Sequence, residues 1–393
     1  MRRVILTTGG TGGHIFPALA VAAELRRTFP DIAILFMGGE SGPEERLAKQ
    51  AGLEFMSLPV RGFFGRGVRA VGAGFRLLRG IALARRKIRK FKPDLVIGFG
   101  GYAAAAAVAA GLLCGVPTMI HEQNSVPGIA NRLLGRYVDK VCISLPEAEK
   151  WFKPGKTALT GNPVRRGIRE LYRDKLQKTQ DAACPAQKDQ NAATASATAS
   201  DRRNLLVLGG SQGAKALNSA VLEDLPRLLD AGLTVRIQAG AADYERVAAA
   251  LKQLADEATG TGRTTESFAA RVSVSAFIED MREAYAWADL ALCRAGATTV
   301  AELAVAGLPA IFVPFPFATH NHQLHNAEQV RKLGAALLLE QKDFAPGRLA
   351  DLTAGLFAEP ARLASMSEAA LLLANPDAAE KVIGEARKIL GSA

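Results

Sequence analysis

The sequence twice runs from a short apolar strand through a glycine-rich turn into an amphipathic helix, and few folds accommodate that pair. The first passage is Val4-Ile5-Leu6, then Thr7-Thr8-Gly9-Gly10-Thr11-Gly12-Gly13-His14, then a helix over 15–27. The second is a strand over 204–208, then Gly209-Gly210-Ser211-Gln212-Gly213, then a helix over 214–229. Glycines at a strand-to-helix turn let the backbone bend sharply and approach a ligand. The unpaired N–H groups at the start of the following helix then favour an anion. A single tight turn needs only one glycine, so four in the first turn point to a ligand loop. That turn is not the dinucleotide fingerprint, because Ile15 stands where the third glycine would be. His14 is its one titratable side chain.

Strands are predicted at 3–7, 32–37, 55–58, 95–98, 118–121 and 140–143, with helical stretches between most of them. A second series is predicted at 204–208, 233–238, 272–275, 290–293, 310–313 and 335–339. Such alternation argues for an α/β fold with two doubly wound parallel sheets. A chain of 393 residues is long for one core. Two domains are therefore expected, at 1–165 and 201–369, facing a cleft in which ligands bind. Between them, residues 177–200 lack any large apolar side chain and read as a disordered insertion. The last helix, from about 370 to 393, is placed to cross back to the first domain.

Four scattered cysteines, with no C-x-x-C pair, suggest neither a zinc site nor a disulfide framework, and so a reducing cytosol. The apolar run after Met1-Arg2-Arg3 is too short for a signal peptide. The weakly polar run 102–118 is too short to span a bilayer and fits a buried helix.

Three further segments leave predicted strand ends. Gly100-Gly101-Tyr102 and His121-Glu122-Gln123-Asn124 reach the same sheet edge as the first turn, as ligand loops or as plain surface loops. Cys293 to Glu302 runs from a strand into a helix. Its first N–H groups suit a phosphate, and Glu302 suits ribose hydroxyls, unless it is merely a surface residue. Ser211 either meets a phosphate or caps its helix. His320, His322 and His325 lack a supporting acidic cluster, with only Glu328 nearby, so no metal is expected.

The net charge of +11 is local in origin. Between Arg61 and Lys92 there are eleven Lys or Arg and no Asp or Glu. The rest of the chain is near neutral, which argues against a nucleic-acid partner. Phe75, Leu78, Ile81 and Leu83, edged by Arg76, Arg79 and Arg86, suit an anionic membrane surface. The plainer reading is a core helix with a solvated basic face.

In this order, Gly9-to-His14, Gly100-Gly101-Tyr102, His121-to-Asn124, Gly161-Asn162-Pro163-Val164-Arg165, Gly209-to-Gly213, Arg294-to-Glu302 and Gln323-to-Asn326 resemble the MurG family. These are the bacterial transferases that add N-acetylglucosamine to lipid I. The resemblance implies a GT-B fold of two Rossmann-like domains. The C-terminal domain would hold UDP-N-acetylglucosamine, and the N-terminal domain would receive the lipid-linked acceptor at the cytoplasmic face of the inner membrane. By the same resemblance, Thr11, Gly12 and Gly13 contact the donor or its reacting sugar, and Asn124 and Arg165 are donor contacts. Ser211 meets the diphosphate and Ile278 meets uracil through its backbone. Ala297, Thr298, Thr299 and Val300 line the diphosphate, with Ala301 beside them; Glu302 meets the ribose and Gln323 the sugar hydroxyls. Tyr102 lies on the acceptor side. Ala295 often appears as serine in the family, and Thr298 is leucine in some members.

The implied reaction is inverting. The muramyl C4 hydroxyl attacks the anomeric carbon while UDP leaves from the opposite face, giving a β-1,4 linkage. Helix N-termini and Arg165 would stabilise the departing diphosphate, with no cofactor needed. His14 is expected to be the general base, with Glu122 as the alternative. Other cell-wall synthesis proteins would be further partners. The rival readings are another GT-B transferase acting on a different membrane lipid, and a nucleotide-binding or membrane-scaffold protein that has lost activity.

Overall fold

The computed structural model describes residues 1–10, 12–40, 42–60, 68–183, 203–210, 213–260, 268–318 and 321–391. Thr11, Ser211, His320, the opening of the basic stretch at 61–67 and the insertion from 184 onward lie outside them. The chain forms two compact units, one of Met1–Arg166 with Asn375–Ala393, the other of Gly167–Ala374.

The first unit holds seven parallel strands: β1 (Arg3–Thr7), β2 (Ala33–Gly39), β3 (Glu54–Leu58), β4 (Leu95–Gly98), β5 (Thr118–Glu122), β6 (Lys140–Ile143) and β7 (Thr157–Leu159). Their spatial order is β3-β2-β1-β4-β5-β6-β7. Successive residues of β1 serve opposite faces: Val4 and Leu6 join one core cluster and Ile5 the other. Both faces are buried, so the strands read as unbroken apolar runs rather than alternating ones. Helices α1 (Gly12–Thr28), α2 (Glu44–Gln50), α3 (Val68–Phe91), α4 (Gly101–Leu113) and α5 (Ile129–Leu134) connect them.

The second unit repeats the plan with β8 (Asn204–Leu208), β9 (Thr234–Gln238), β10 (Val272–Ser275), β11 (Leu290–Cys293), β12 (Ala310–Phe312) and β13 (Ala336–Leu338). Their order is β10-β9-β8-β11-β12-β13, again all parallel. Both sheets reverse strand order beside their first strand, at β1/β4 and at β8/β11. In open α/β sheets that switch point is where ligands bind.

Helix α6 (Arg166–Ala183) continues seven residues into the stretch read as disordered from 177. Lys, Gln and Ala propagate a helix by backbone preference alone, without an apolar anchor. This helix belongs to the second unit: Lys175 Nζ donates to Gly307 O at 2.8 Å, and Arg282 pairs with Glu170 at 3.1 Å. In the second unit, α7 (Lys215–Asp230), α8 (Tyr244–Gly260), α9 (Met281–Trp287), α10 (Ala297–Ala306), α11 (His322–Lys332), α12 (Arg348–Ala358) and α13 (Pro360–Leu372) follow.

The final helix, α14 (Ala378–Gly391), packs in the first unit. Ala379, Val382, Ile383 and Ala386 recur at helical spacing and are buried in the same cluster as Ile15, Val21 and Leu25 of α1.

In α3 the expected apolar strip divides. Leu77, Ile81, Leu83, Ala84 and Ile88 pack toward a core cluster of the first unit. Phe75 and Leu78 remain 69% and 66% exposed. Ile81 and Leu83 therefore do not belong to the surface strip. Two stripes are interleaved on one helix, and the core claims the one spaced i, i+4, i+7, i+11 from Leu77.

Candidate active site

At the first switch point two loops interlock through their backbones. Gly9 N donates to Gly100 O at 3.0 Å, and Phe99 N to Thr7 O at 2.8 Å. Gly10 N donates to Glu44 Oε1 at 2.8 Å, and that carboxylate is buried. The N–H groups of Thr8, Gly9 and Gly10 are thus already occupied, the last by a carboxyl oxygen. This local chemistry disfavours the turn as a diphosphate cradle and leaves it as a mount for His14.

His14 lies in the first turn of α1, half-buried, with Nδ1 2.8 Å from Gln123 Oε1. Gln123 is itself buried after β5, and its Nε2 reaches Phe99 O at 3.0 Å and His121 Nδ1 at 3.1 Å. His121 Nε2 in turn meets Gly161 O at 3.0 Å. Burial pushes the His121 imidazole down from the ordinary 6.5 to about 4; its bond to Gly161 opposes this, and the His14 charge adds to it. Between those two pH values the unfolded chain binds a proton that the folded chain refuses. Folding stability therefore falls as pH drops through that window, by about 3 kcal/mol in total. An NMR titration should find His121 neutral down to pH of about 5; a midpoint near its ordinary value would contradict this environment.

Glu122, the alternative base, is placed differently. It is 1% exposed. Its Oε1 accepts from the backbone and side-chain nitrogens of Asn124 at 3.0 and 3.2 Å, and its Oε2 from Asn131 Nδ2 at 2.8 Å and Gly128 N at 3.3 Å. A buried carboxylate with both oxygens engaged is a brace for the loop, since taking up a proton would disturb that set. Asn124 is committed to the same brace. Arg165 stacks over the Phe16 ring of α1 at 4.5 Å, two residues beyond His14. Tyr102 is 39% exposed at the start of α4. Gly12 and Gly13 open α1.

At the second switch point Gly209 N donates to Gln238 O at 2.9 Å. Helix α10 is capped by Gly296 with no side-chain hydrogen bond and has no acidic residue in its first turn. Ala297, Thr298, Thr299, Val300 and Ala301 therefore present the positive end of a helix that carries no carboxylate of its own there. Asn326 Nδ2 ties α11 to this loop through Ala295 O at 3.2 Å. Arg294 braces the neighbouring segment through Val313 O and Pro314 O at 3.0 and 3.1 Å and Gln341 Oε1 at 2.9 Å. Gln323 Oε1 accepts from Phe315 N at 2.9 Å. Ile278 N donates to Gln238 Oε1 at 3.1 Å, so a base reading that N–H would replace the glutamine oxygen.

Glu302 is buried one turn into α10, where its Oε2 accepts from Tyr285 OH at 2.9 Å. Tyr285 comes from α9, and no motif marks it for this contact. Tyr285→Phe removes this one hydrogen bond from Glu302. With Glu302 in the ribose role that the sequence resemblance implies, the expected result is a roughly 3- to 10-fold higher Kd for UDP with little change in kcat; isothermal calorimetry checks the first and steady-state kinetics the second. Among the described residues, no group of three or more His, Cys, Asp or Glu is placed to hold a metal ion.

Residues 4–143 match the glycosyltransferase family 28 N-terminal domain, and residues 204–382 its C-terminal domain. A UDP-N-acetylglucosamine–N-acetylmuramyl-(pentapeptide) pyrophosphoryl-undecaprenol N-acetylglucosamine transferase from Nitratidesulfovibrio vulgaris strain DP4 is 52% identical over 383 residues, covering 98% of this chain and 96% of its own. The transferase of the same name from Solidesulfovibrio magneticus is 48% identical over 393 residues, covering 100% and 98%. The crystal structure of Acinetobacter baumannii MurG matches with a TM-score of 0.69 at 31% identity, covering 99% and 100%. Two Rossmann-like units with these turns define a glycosyltransferase of the GT-B class. The chain belongs to glycosyltransferase family 28, and within it to the MurG transferases.

Proposed function

We infer that this protein transfers N-acetylglucosamine from UDP-N-acetylglucosamine to the C4 hydroxyl of the muramyl sugar of lipid I, with inversion, to give lipid II. One observation carries the reading. Along a chain that matches such transferases end to end, the first switch point mounts an imidazole and the second presents a helix N-terminus with Glu302 one turn in. An imidazole can accept the proton of an attacking hydroxyl. The N–H groups opening α10 would meet the negative charge that grows on the departing diphosphate. Glu302, held by Tyr285, is suited to ribose hydroxyls, and Gln323 to those of the sugar. Gly12 and Gly13 keep side-chain bulk away from the reacting sugar.

Radiolabelled UDP-N-acetylglucosamine with a lipid I analogue in detergent tests the reading. Transfer to diacylglycerol or another lipid in place of lipid I would replace it with the second GT-B reading.

The acceptor carries a polyprenyl chain, so the enzyme works at a membrane surface, on its cytoplasmic face. No described helix is long and apolar enough to cross a membrane. Phe75 and Leu78 stand exposed on α3 among exposed Arg76, Arg79, Arg85 and Arg86. Each cation near an anionic surface contributes on the order of 1 kcal/mol. Reversing the charge at Arg76, Arg79 and Arg86 together should weaken binding to anionic vesicles by two or more orders of magnitude, at about tenfold per 1.4 kcal/mol. Sedimentation with vesicles reads this directly, and unchanged binding would remove α3 from the membrane face.

A further inference from the structure

The direction of every hydrogen bond from Gly161 to His14 follows from one amide. One end of the Gln123 side chain faces Phe99 O at 3.0 Å and His121 O at 3.2 Å. Carbonyl oxygens only accept, so that end is the NH2 group. The other end, 2.8 Å from His14 Nδ1, is then the oxygen, and it needs a proton from that ring nitrogen. His121 is fixed in the same way. Its Nε2 faces Gly161 O and carries the proton, so its Nδ1 accepts from Gln123 Nε2.

We propose that Gln123, backed by His121, is a positioning residue that holds neutral His14 in the tautomer protonated on Nδ1, with the lone pair on Nε2. The consequence for catalysis rests on His14 being the base. A free histidine side chain favours the opposite tautomer, whose Nε2 cannot take up a proton. The relay removes that handicap before substrate arrives. It also suits the ring after reaction, because the imidazolium still donates from Nδ1 to the same oxygen and no partner has to turn.

The surroundings keep the amide from flipping. A flipped Gln123 would set its oxygen against two carbonyl oxygens in a buried site, at the cost of an unsatisfied polar group. The His121 ring lies against Phe99, with centroids 5.7 Å apart. A Cβ on Gly161 would lie 2.5 Å from Asn375 Cβ, so the segment carrying the terminal acceptor is tightly held. The backbone at Gly100 closes on the His14 ring itself, where an added Cβ would lie 3.0 Å from Cε1 and Nδ1. The low proton affinity of His121 keeps the middle of the relay neutral, which preserves its direction.

The test is long-range 15N–1H correlation spectroscopy on the full-length protein at neutral pH, with the His14 signals identified by their loss in His14→Ala. The expected spectrum shows a protonated Nδ1 and a bare Nε2. A protonated Nε2 would overturn the proposal, and this wild-type measurement decides even if a variant fails to fold. In Gln123→Met, population should move to the Nε2-protonated tautomer. kcat should then fall roughly 10- to 100-fold, with KM for both substrates within about threefold. An unchanged tautomer would equally overturn it, as would full kcat in Gln123→Met where His14→Ala is inactive. If His14→Ala retained turnover while the wild-type ring showed the Nδ1 proton, the base assignment would fail and the relay would stand.

Discussion

Replacing His14 with alanine should lower kcat by about 10²- to 10⁴-fold, the range that a positioned general base contributes. Donor affinity should stay within a few-fold, because Glu302 and the N-terminus of α10, assigned to the ribose and the diphosphate, belong to the second unit. The size of the effect follows from what else could accept the proton. Glu122 is sealed among Asn124, Gly128 and Asn131. Glu44 is buried against Gly10 N. His121 has its two ring nitrogens committed to Gly161 and Gln123. Steady-state kinetics with a lipid I analogue, paired with UDP binding by calorimetry, separates the two quantities. Near-normal turnover would take His14 out of the base role.

The second large effect is expected at Gly101, and it is structural. Its φ is +84°, and a Cβ built there would lie 2.1 Å from Gly9 O and 2.7 Å from Gly9 C. The obstacle is backbone that is itself hydrogen-bonded to Gly100, so it has nowhere to retreat. Gly101→Ala should cost about 3 kcal/mol or more through strain and clash together. It should also displace His14, whose ring packs on the adjacent Gly100. Gly10→Ala is the control. Its φ is +102°, yet nothing lies within 4 Å of the added carbon, so only backbone strain is paid. Thermal unfolding of both variants should show Gly101→Ala clearly the less stable; equal melting temperatures would mean the loops do not interlock.

Most of the fold was legible because buried parallel strands leave unbroken apolar runs such as Val4-Ile5-Leu6 and Leu205-Leu206-Val207. Strand β7 was not, since Thr157-Ala158-Leu159 is short, at the sheet edge and only partly buried. In the site, the glycine turns and His14 announce themselves by residue type. Gln123 does not: a neutral amide has no titratable signal, and its importance lies in which carbonyls surround it. Tyr285 and Glu44 were hidden for a similar reason, because each reaches its partner only through tertiary packing. Ile81 was misplaced because two stripes on α3 share arginine-rich neighbours, and only the packed core tells them apart.

The return of α14 to the first unit sets an order of events during synthesis. The second unit is one unbroken segment, Gly167–Ala374, and its whole core has been made before the last helix exists. The first unit is made first but stays unfinished until the ribosome delivers Val382, Ile383 and Ala386 to the face of α1. Until then the hydrophobic side of α1, the helix that begins at the first glycine-rich turn, lacks its cover. The half of the enzyme that carries His14 is thus the last to be sealed, and a chain cut short at its C-terminus would lose that half while the other remained whole.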